Sequence, residues 1–425
     1  MTIIWGRALS SSPFLLGFDM EKRKLRILCS PANEGGCAYY RVIAPMRKMA
    51  ELYGDKVEFR YNLNPLGIVE EGDDKGKWQE DWEFEDMKWA DIVWTNNISN
   101  WGGPYTARIV GKAKEFGKFV HFDTDDLLTD LYEGHRLYGV YKERNLEEVT
   151  KFIYSHADLV TVTQRKFAER IKDYCGGVLA IVKNAIDYKL PCWNVPKRPS
   201  PRKDLIRVGW AGGIHHEEDV KEFAGIPHLV NQKIGREKVH WGFYGAPLAS
   251  QGGQEEWQHD VWRNYKKILL SGFKGSPNWQ IYNALPPDNY GALYAQVDLS
   301  IAPLQMNAFN DSKSEIKVAE CGRYKVPLVA SDVGCYDETI VNGETGYLLP
   351  PNATKSEWVR VLTKCLRDPK HVKEMGENLH KITEEYFDLH KVVKHRLELY
   401  EEAMGLIHGR EKKEAVKYNT DWVHD

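Results

Sequence analysis

The chain contains no run of about eighteen consecutive apolar residues, which leaves no candidate for a membrane-spanning helix. It also lacks close cysteine pairs. Its seven cysteines stand at 29, 37, 175, 192, 321, 335 and 365, without the spacing of a zinc site or a disulfide framework, and read as free thiols in a reducing compartment. A cytoplasmic location is expected from this, with peripheral membrane contact left open. A large charge of one sign is missing as well: a net charge of -3 argues against a general basic coat for nucleic acid, though not against a local basic groove. No internal repeat at a solenoid period is visible. The N-terminal IIWGRALSSSPFLLGF lacks a cationic start followed by a continuous apolar core, so it is read as a leader before the first strand rather than a signal peptide, with Met20 a conceivable alternative start.

What is present suits two globular domains. A chain of 425 residues, 12% aromatic and with charges of both signs, can bury two ordinary cores. Lys24 to Ser30 reads as a first strand, followed by the small-residue loop Ala32 to Cys37 and a helix over Tyr39 to Tyr53. Further strands are expected at 57–62, 91–95, 118–122, 157–163 and 178–182, with a charged insert from Glu70 to Met87. The proline-rich, basic stretch Pro196 to Lys203 reads as an exposed linker. Beyond it the pattern repeats: a strand at 206–210, the glycine turn Gly212, Gly213, and a helix opening with Glu217 to Asp219. Strands at 239–244 and 279–282, a helix over 289–294, and helical spacing over 358–367 and 372–404, with a break between the two, complete the reading. The domains are placed at 1–190 and 205–390, with 191–204 between them and 391–425 as a final helix and tail returning to the first domain.

One stretch, Asp298 to Pro350, organises the second half. Asp298 to Leu304 reads as a buried strand, Asn310, Asp311 and Ser312 as caps of a following helix, and Val326 to Ala330 as a second buried strand. Strand, helix, strand is a parallel crossover, which puts the intervening loop at the ligand-binding edge of a sheet. On the expected helix, Lys313, Lys317 and Glu320 fall at offsets of zero, four and seven and share one face. Exposed N–H groups and two ammonium groups suit a diphosphate, and a carboxylate one turn deeper suits vicinal ribose hydroxyls. The same residues also fit a solvated face with one lysine-glutamate pair.

Several motifs in one order decide between these. Glu320, the Pro327 to Ser331 strand (PLVAS) and the turn Asn342, Gly343, Glu344, Thr345, Gly346, Tyr347, Leu348 resemble the nucleotide-sugar half of the large retaining glycosyltransferase family with the GT-B fold, the fourth in the usual classification. The usual pair of glutamates eight positions apart is incomplete, since Ser312 stands eight before Glu320; FNDSKSEIKVAE instead resembles a subgroup with Asn-x-x-Lys-Ser-x-x-Lys-x-x-Glu. The resemblance implies an α/β fold of two Rossmann-like, doubly wound parallel-sheet domains facing across a cleft. It also implies transfer of a sugar from a nucleotide-sugar donor (a UDP- or GDP-sugar) to a glycan or glycolipid hydroxyl, with retention of configuration and no cofactor or metal. DNA is an alternative acceptor, and a non-enzymatic nucleotide-sugar or glycan-binding module a second alternative. Oligomeric state is open.

Site residues follow partly from the residues and partly from the resemblance. Lys313 and Lys317 are expected at the leaving diphosphate, and Gly212, Gly213, His215, Asn310, Ser314 and Glu320 around the donor. Where the family often has an arginine and a later lysine, this chain has His215 and His216, which shifts the cationic work to the two lysines. Gly35 and Gly36 allow close backbone approach or simply a tight turn; by resemblance they face the acceptor, with Tyr40 and Arg41. Asp123, Asp125 and Asp126 follow a strand and point at its ligand edge. Magnesium or manganese would suit such oxygens, but a helix cap with first-turn acids explains two of the three. The resemblance implies acceptor contacts instead, with Asp125 and Asp126 at the reacting hydroxyl. His121, on the strand itself, reads first as a core histidine.

Overall fold

The structure, a computed structural model, describes residues 3–5, 23–68, 79, 81–98, 104–202, 204–247, 256–273 and 278–408. Most of the N-terminal stretch, most of the charged insert from Glu70, Lys203 and the tail from Glu411 lie outside the described residues. Two compact units result. Unit 1 comprises Met1–Leu131, Leu137–Asn184 and Leu389–Asp425; unit 2 comprises Tyr132–Arg136 and Ala185–Asp388.

Unit 1 is built on strands β1 (Ile3–Trp5), β2 (Leu25–Pro31), β3 (Val57–Tyr61), β4 (Ile92–Asn96), β5 (Phe119–Asp123), β6 (Leu159–Val162) and β7 (Val178–Ile181), in the order β1-β7-β6-β5-β4-β2-β3. All pair in parallel except β1, which runs antiparallel along β7. Ile3–Trp5 is therefore an edge strand and not simply a leader. The central strands β4, β5 and β6 are buried throughout, which is why they read as apolar runs rather than as alternation.

The single helix expected over Tyr39 to Tyr53 is a π-helical turn, Tyr39–Ile43, followed by an α-helix, Ala44–Tyr53. Pro45 explains the change. It has no N–H to give the Arg41 carbonyl, and the chain widens by one residue just before it, with Ala44 N–H bonding to Tyr39 O. The helix Leu389–His408 packs against Ala44–Tyr53 in the same unit.

Unit 2 has strands β8 (Ile206–Ala211), β9 (Val239–Ala246), β10 (Trp279–Asn283), β11 (Leu299–Ala302), β12 (Leu328–Ser331) and β13 (Gly346–Leu349), all parallel, in the order β10-β9-β8-β11-β12-β13. Its core is laid down by Val208, Trp241, Leu299 and Val329 against Phe223, Trp358 and Leu362 from the covering helices. Burying each aliphatic side chain of this kind contributes on the order of 1.5–3 kcal/mol. The break expected between 367 and 372 falls at Asp368, between the helices Lys355–Arg367 and Pro369–Tyr386, and the stretch 372–404 is itself divided, since a further helix starts at Leu389.

The Asn342 to Leu348 turn serves the fold. Val341 N–H donates to Thr345 Oγ1 at 2.8 Å, Thr345 Oγ1 donates to Thr339 O at 3.0 Å, and Leu348 N–H donates to Asn342 Oδ1 at 2.7 Å. A Cβ on Gly346 would lie 2.1 Å from the Leu328 carbonyl oxygen, so only glycine lets β13 lie so close against β12 there.

Each sheet has one place where successive strands leave in opposite directions: between β2 and β4 in unit 1, and between β8 and β11 in unit 2. Loops at the carboxyl ends of such strands diverge and leave a crevice, the usual ligand position in open α/β sheets.

Candidate functional site

In unit 2 the switch-point loops are Gly212 to His216 after β8 and Pro303 to Asn307 after β11. Asp219 ties them together. Its carboxylate, 1% exposed, accepts His216 Nδ1–H at 2.8 Å, Gln305 N–H at 2.9 Å and Asn310 Nδ2–H at 2.8 Å. Burial alone would raise the Asp219 pKa; the His216 hydrogen bond and the Lys313 charge outweigh it and hold the carboxyl below its ordinary range. A buried acid that would otherwise be costly thus becomes the anchor of both loops.

The local chain differs from the expected single helix. Asn307 is the cap, accepting Asn310 N–H at 2.8 Å, and it nucleates a short helix Ala308–Asp311. A second helix, Ile316–Arg323, starts after Glu315. Lys313 and Ser314 lie in the turn between the two helices, so Lys313 does not share a helix face with Lys317 and Glu320. The reason is competition for the backbone: Asn310 turns its side chain inward to Asp219 and Gln305 O instead of capping, and Ser312 bonds back to Ala308 O. Asn310 is accordingly buried and fastens the loop through its Nδ2–H groups. Ser314 stays half-exposed, and Lys313 lies with its ammonium 4.9 Å from the centre of the Phe309 ring.

The segment Tyr132–Arg136 belongs to this unit and brings His135, 6% exposed, against the β8 loop. The His135 and His215 rings stack with centroids 5.7 Å apart and 6° between planes, and His135 packs on Phe309 at 4.8 Å. Arg136 lies over Trp257 at 4.0 Å. Burial, then the neighbouring imidazoles and Lys313, pull both His135 and His215 down to about 4. Both are therefore neutral near pH 7, able to donate or accept a hydrogen bond but supplying no positive charge. Gly212 is buried and Gly213 exposed, and a Cβ on Gly212 would meet the Trp210 ring at 2.4 Å.

On the second helix, Lys317 Nζ donates to Glu320 Oε2 at 3.0 Å and to the Tyr290 hydroxyl at 3.2 Å, while the Tyr294 hydroxyl donates to the same Glu320 oxygen at 2.8 Å. Burial pulls the Lys317 pKa down, but the Glu320 charge and the Tyr290 hydroxyl outweigh it and raise the pKa, so the ammonium is secure. Both tyrosines come from the 3₁₀ stretch Pro287–Gln296, expected as a helix over 289–294.

In unit 1, Gly35 and Gly36 are exposed and Tyr40 half-buried at the β2 loop, and Asp125 and Asp126 are half-buried after β5. Asn97 Nδ2–H reaches Asp125 Oδ1 at 3.4 Å, and burial raises the Asp125 pKa. Cys37, Asp125 and Asp126 place ligand atoms within 4.8 Å of one another. Two carboxylates suit a hard cation, whereas the thiol suits a softer one.

Arg41 and Asp123, expected at the acceptor, are 0% exposed. Arg41 Nε–H donates to Asp123 Oδ1 at 2.5 Å and Arg396 Nη1–H to Asp123 Oδ2 at 2.6 Å. The acceptor reading fails for this pair because both groups are consumed by an internal ion-pair network. His121 is a core residue, its ring nitrogens 2.8 Å from Tyr400 Oη and Thr161 Oγ1.

His135, Asp219, Tyr290 and Tyr294 escaped the sequence reading. Only Asp219 left a signal, in the acidic helix start, and it pointed to the first turn of a helix rather than to a loop anchor.

Comparison with known proteins places this geometry. Residues 263–382 match the family model described as Glycosyl transferases group 1. Among solved structures, sucrose-phosphate synthase from Thermosynechococcus elongatus superposes with a TM-score of 0.59 at 14% identity over 90% of this chain and 100% of that one. HepE of Anabaena, in complex with UDP and glucose, superposes with a TM-score of 0.57 at 13% identity over 89% of this chain and 99% of that one. A glycosyltransferase from Rickettsia africae gives 0.56 at 14% identity over 90% and 99%. Among curated proteins, glycogen synthase of Mycobacterium tuberculosis is 22% identical over 212 residues, 49% of this chain, and the chain spans 45% of that relative's length. The fold is thus the α/β GT-B fold, and the stretch of unit 2 from 263 to 382 is similar to the Glycosyl transferases group 1 family.

Proposed function

We propose that this protein is a glycosyltransferase that moves a sugar from a nucleotide-sugar donor to an acceptor hydroxyl with retention of anomeric configuration, without a catalytic metal, the acceptor being a glycan or glycolipid precursor. The observation that carries this reading is the switch-point cluster of unit 2: Lys313 after one short helix and Lys317 and Glu320 on the next, all inside the region that matches the family model, together with the glycine loop after β8, which lies outside that region. HepE binds UDP and glucose, which favours a uridine donor here.

In this reading Glu320 grips the ribose hydroxyls, while Lys313 and Lys317 face the diphosphate. As the anomeric carbon–oxygen bond to phosphate breaks, its electron pair stays on the diphosphate, and the two ammonium groups stabilise that growing charge. The acceptor oxygen forms the new bond on the same face, and its proton passes to the departing phosphate oxygen. His135, buried, and His215, exposed, are both neutral and orient the sugar or a phosphate oxygen by hydrogen bonding. Gly35, Gly36, Tyr40, Asp125 and Asp126 of unit 1 are assigned to the acceptor, with Asp125 and Asp126 at its hydroxyl.

The test is a panel of UDP- and GDP-sugars read by thermal shift and by slow donor hydrolysis. One donor raising the melting temperature and being hydrolysed supports the reading. A panel in which nothing binds removes it, and tight binding without hydrolysis or transfer to any acceptor reduces the protein to a binding module.

A further inference from the structure

Arg41, Asp123 and Arg396 form a charged cluster in unit 1 that the sugar-transfer chemistry does not use. All three are at most 1% exposed. Arg41 also donates through Nη1 to Val182 O at 2.7 Å and Asn184 Oδ1 at 3.0 Å, and the Arg396 guanidinium lies 4.7 Å from the centre of the Trp94 ring. Trp94 in turn stacks on His121 at 5.3 Å. Two guanidiniums face one carboxylate, and burial holds the adjacent His121 neutral. The Arg41–Asp123 pair is complete without Arg396, whose charge is in excess. A surplus buried cation is costly, and an apolar side chain of similar volume would commonly serve stability as well or better.

What Arg396 reaches is informative. Asp123 is the last residue of β5, and the residues after it are fastened to it in sequence. Asn97 N–H donates to Asp123 O at 3.3 Å, Thr124 Oγ1 donates to Asn97 Oδ1 at 3.0 Å, and Asn97 Nδ2–H reaches Asp125. Asn97 holds this position with φ at 47°, a left-handed backbone that asparagine adopts more readily than other non-glycine residues. On the other side, Arg41 sits in the π-helical turn that follows Gly35 and Gly36. Asp123 therefore joins the two loops at the switch point of unit 1, and the C-terminal helix reaches that junction through Arg396.

We propose that Arg396 is a positioning residue: by holding the second oxygen of Asp123 it fixes the Thr124 to Asp126 loop and, through Asp123 and Arg41, the glycine loop before the π-helical turn. The assignment of these loops to an acceptor rests on the function proposed above; the positional role does not.

The experiment compares the 425-residue chain with its Arg396→Met and Arg396→Lys variants by amide hydrogen exchange, beside a UDP thermal shift. In Arg396→Met, exchange at residues 33–38 and 124–128 should rise by about tenfold or more, while β6 and β7 stay within about twofold. Arg396→Lys, which restores the charge, should recover most of that protection, and the UDP shift should be the same in all three proteins. Exchange that is unchanged in the two loops, or that rises evenly through unit 1, overturns the proposal. If Arg396→Met does not accumulate as folded protein, Arg396→Gln is put through the same comparison. Failure of the parental chain to bind UDP counts against the donor reading alone, because the exchange comparison involves no nucleotide.

Discussion

Lys317 Nζ and the Tyr294 hydroxyl meet on one oxygen of Glu320, at 3.0 and 2.8 Å. The carboxylate is 2% exposed and turned to a fixed angle by a phenol and an ammonium. Such a group is pre-organised, and its hydrogen bonds to ribose hydroxyls would be charge-assisted. Glu320→Gln should weaken UDP binding about ten- to a hundredfold, the effect of losing about 1.5–3 kcal/mol. Calorimetric titration with UDP checks this. A lowered melting temperature with unchanged UDP affinity would show that Glu320 only braces the helix.

Lys317 and Lys313 differ in surroundings, and that separates their expected effects. Lys317 is held by Glu320 and Tyr290, whereas Lys313 stands half-exposed in the turn against Phe309. For a fixed ammonium facing charge that grows in the transition state, Lys317→Met should lower kcat by about a hundredfold or more with a small change in donor KM. Lys313→Met should act on both constants, since an ammonium on a turn contributes to ground-state capture as well. Equal kcat for Lys317→Met and the parent would remove Lys317 from the chemistry.

The positions of most strands along the chain were readable because parallel strands buried on both faces are short apolar runs, as at Ile206 to Trp210 and Val326 to Ala330. The site was less so. Lys313, Lys317 and Glu320 have helical spacing in the sequence, but whether one helix carries all three depended on where Asn310 sends its side chain, and its partner Asp219 is 91 residues away. Arg41 read as a ligand group by resemblance alone, and Asp123 because a carboxylate at the end of a parallel strand usually faces the crevice. Their mutual pairing involves Arg396, 273 residues from Asp123, and no local pattern carries that information. His135 lies in a segment with no motif at all; only the tertiary fold brings it to His215.

The two stacked imidazoles set an acid limit. In the folded chain His135 is pulled down to about 4, while an unfolded histidine titrates near 6.5. Between these values the unfolded state binds more protons, so stability rises with pH there. The contribution of His135 is present in full above about pH 6.5 and is lost as pH falls toward 4. His135→Gln, which cannot titrate, should flatten this part of the profile of urea midpoint against pH. His215 shares the direction, but its exposed ring makes the effect smaller. A Gln variant with the parental slope between pH 6.5 and 4 would show that His135 is solvated in the folded state.

Gly245 offers a test of whether the β8 loop itself holds the donor. Its φ is 126°, and a Cβ there would lie 2.1 Å from the Gly212 carbonyl oxygen and 3.2 Å from Trp262. Because Gly212 N–H donates to Tyr244 O at 3.0 Å, the two backbones are already in contact and the clash cannot be relieved by a side-chain rotation. Gly245→Ala must push the Gly212 loop outward, at a cost of about 1–3 kcal/mol. Gly346→Ala is the matched control: its Cβ would also lie 2.1 Å from a backbone oxygen, that of Leu328, but the pair β12 and β13 carries neither the β8 loop nor the lysines. Both variants should melt several degrees lower. At a temperature where both remain folded, only Gly245→Ala should lose UDP affinity, by about tenfold or more. Equal losses would mean that UDP binding follows global stability, and no loss in Gly245→Ala would place the diphosphate away from the loop after β8.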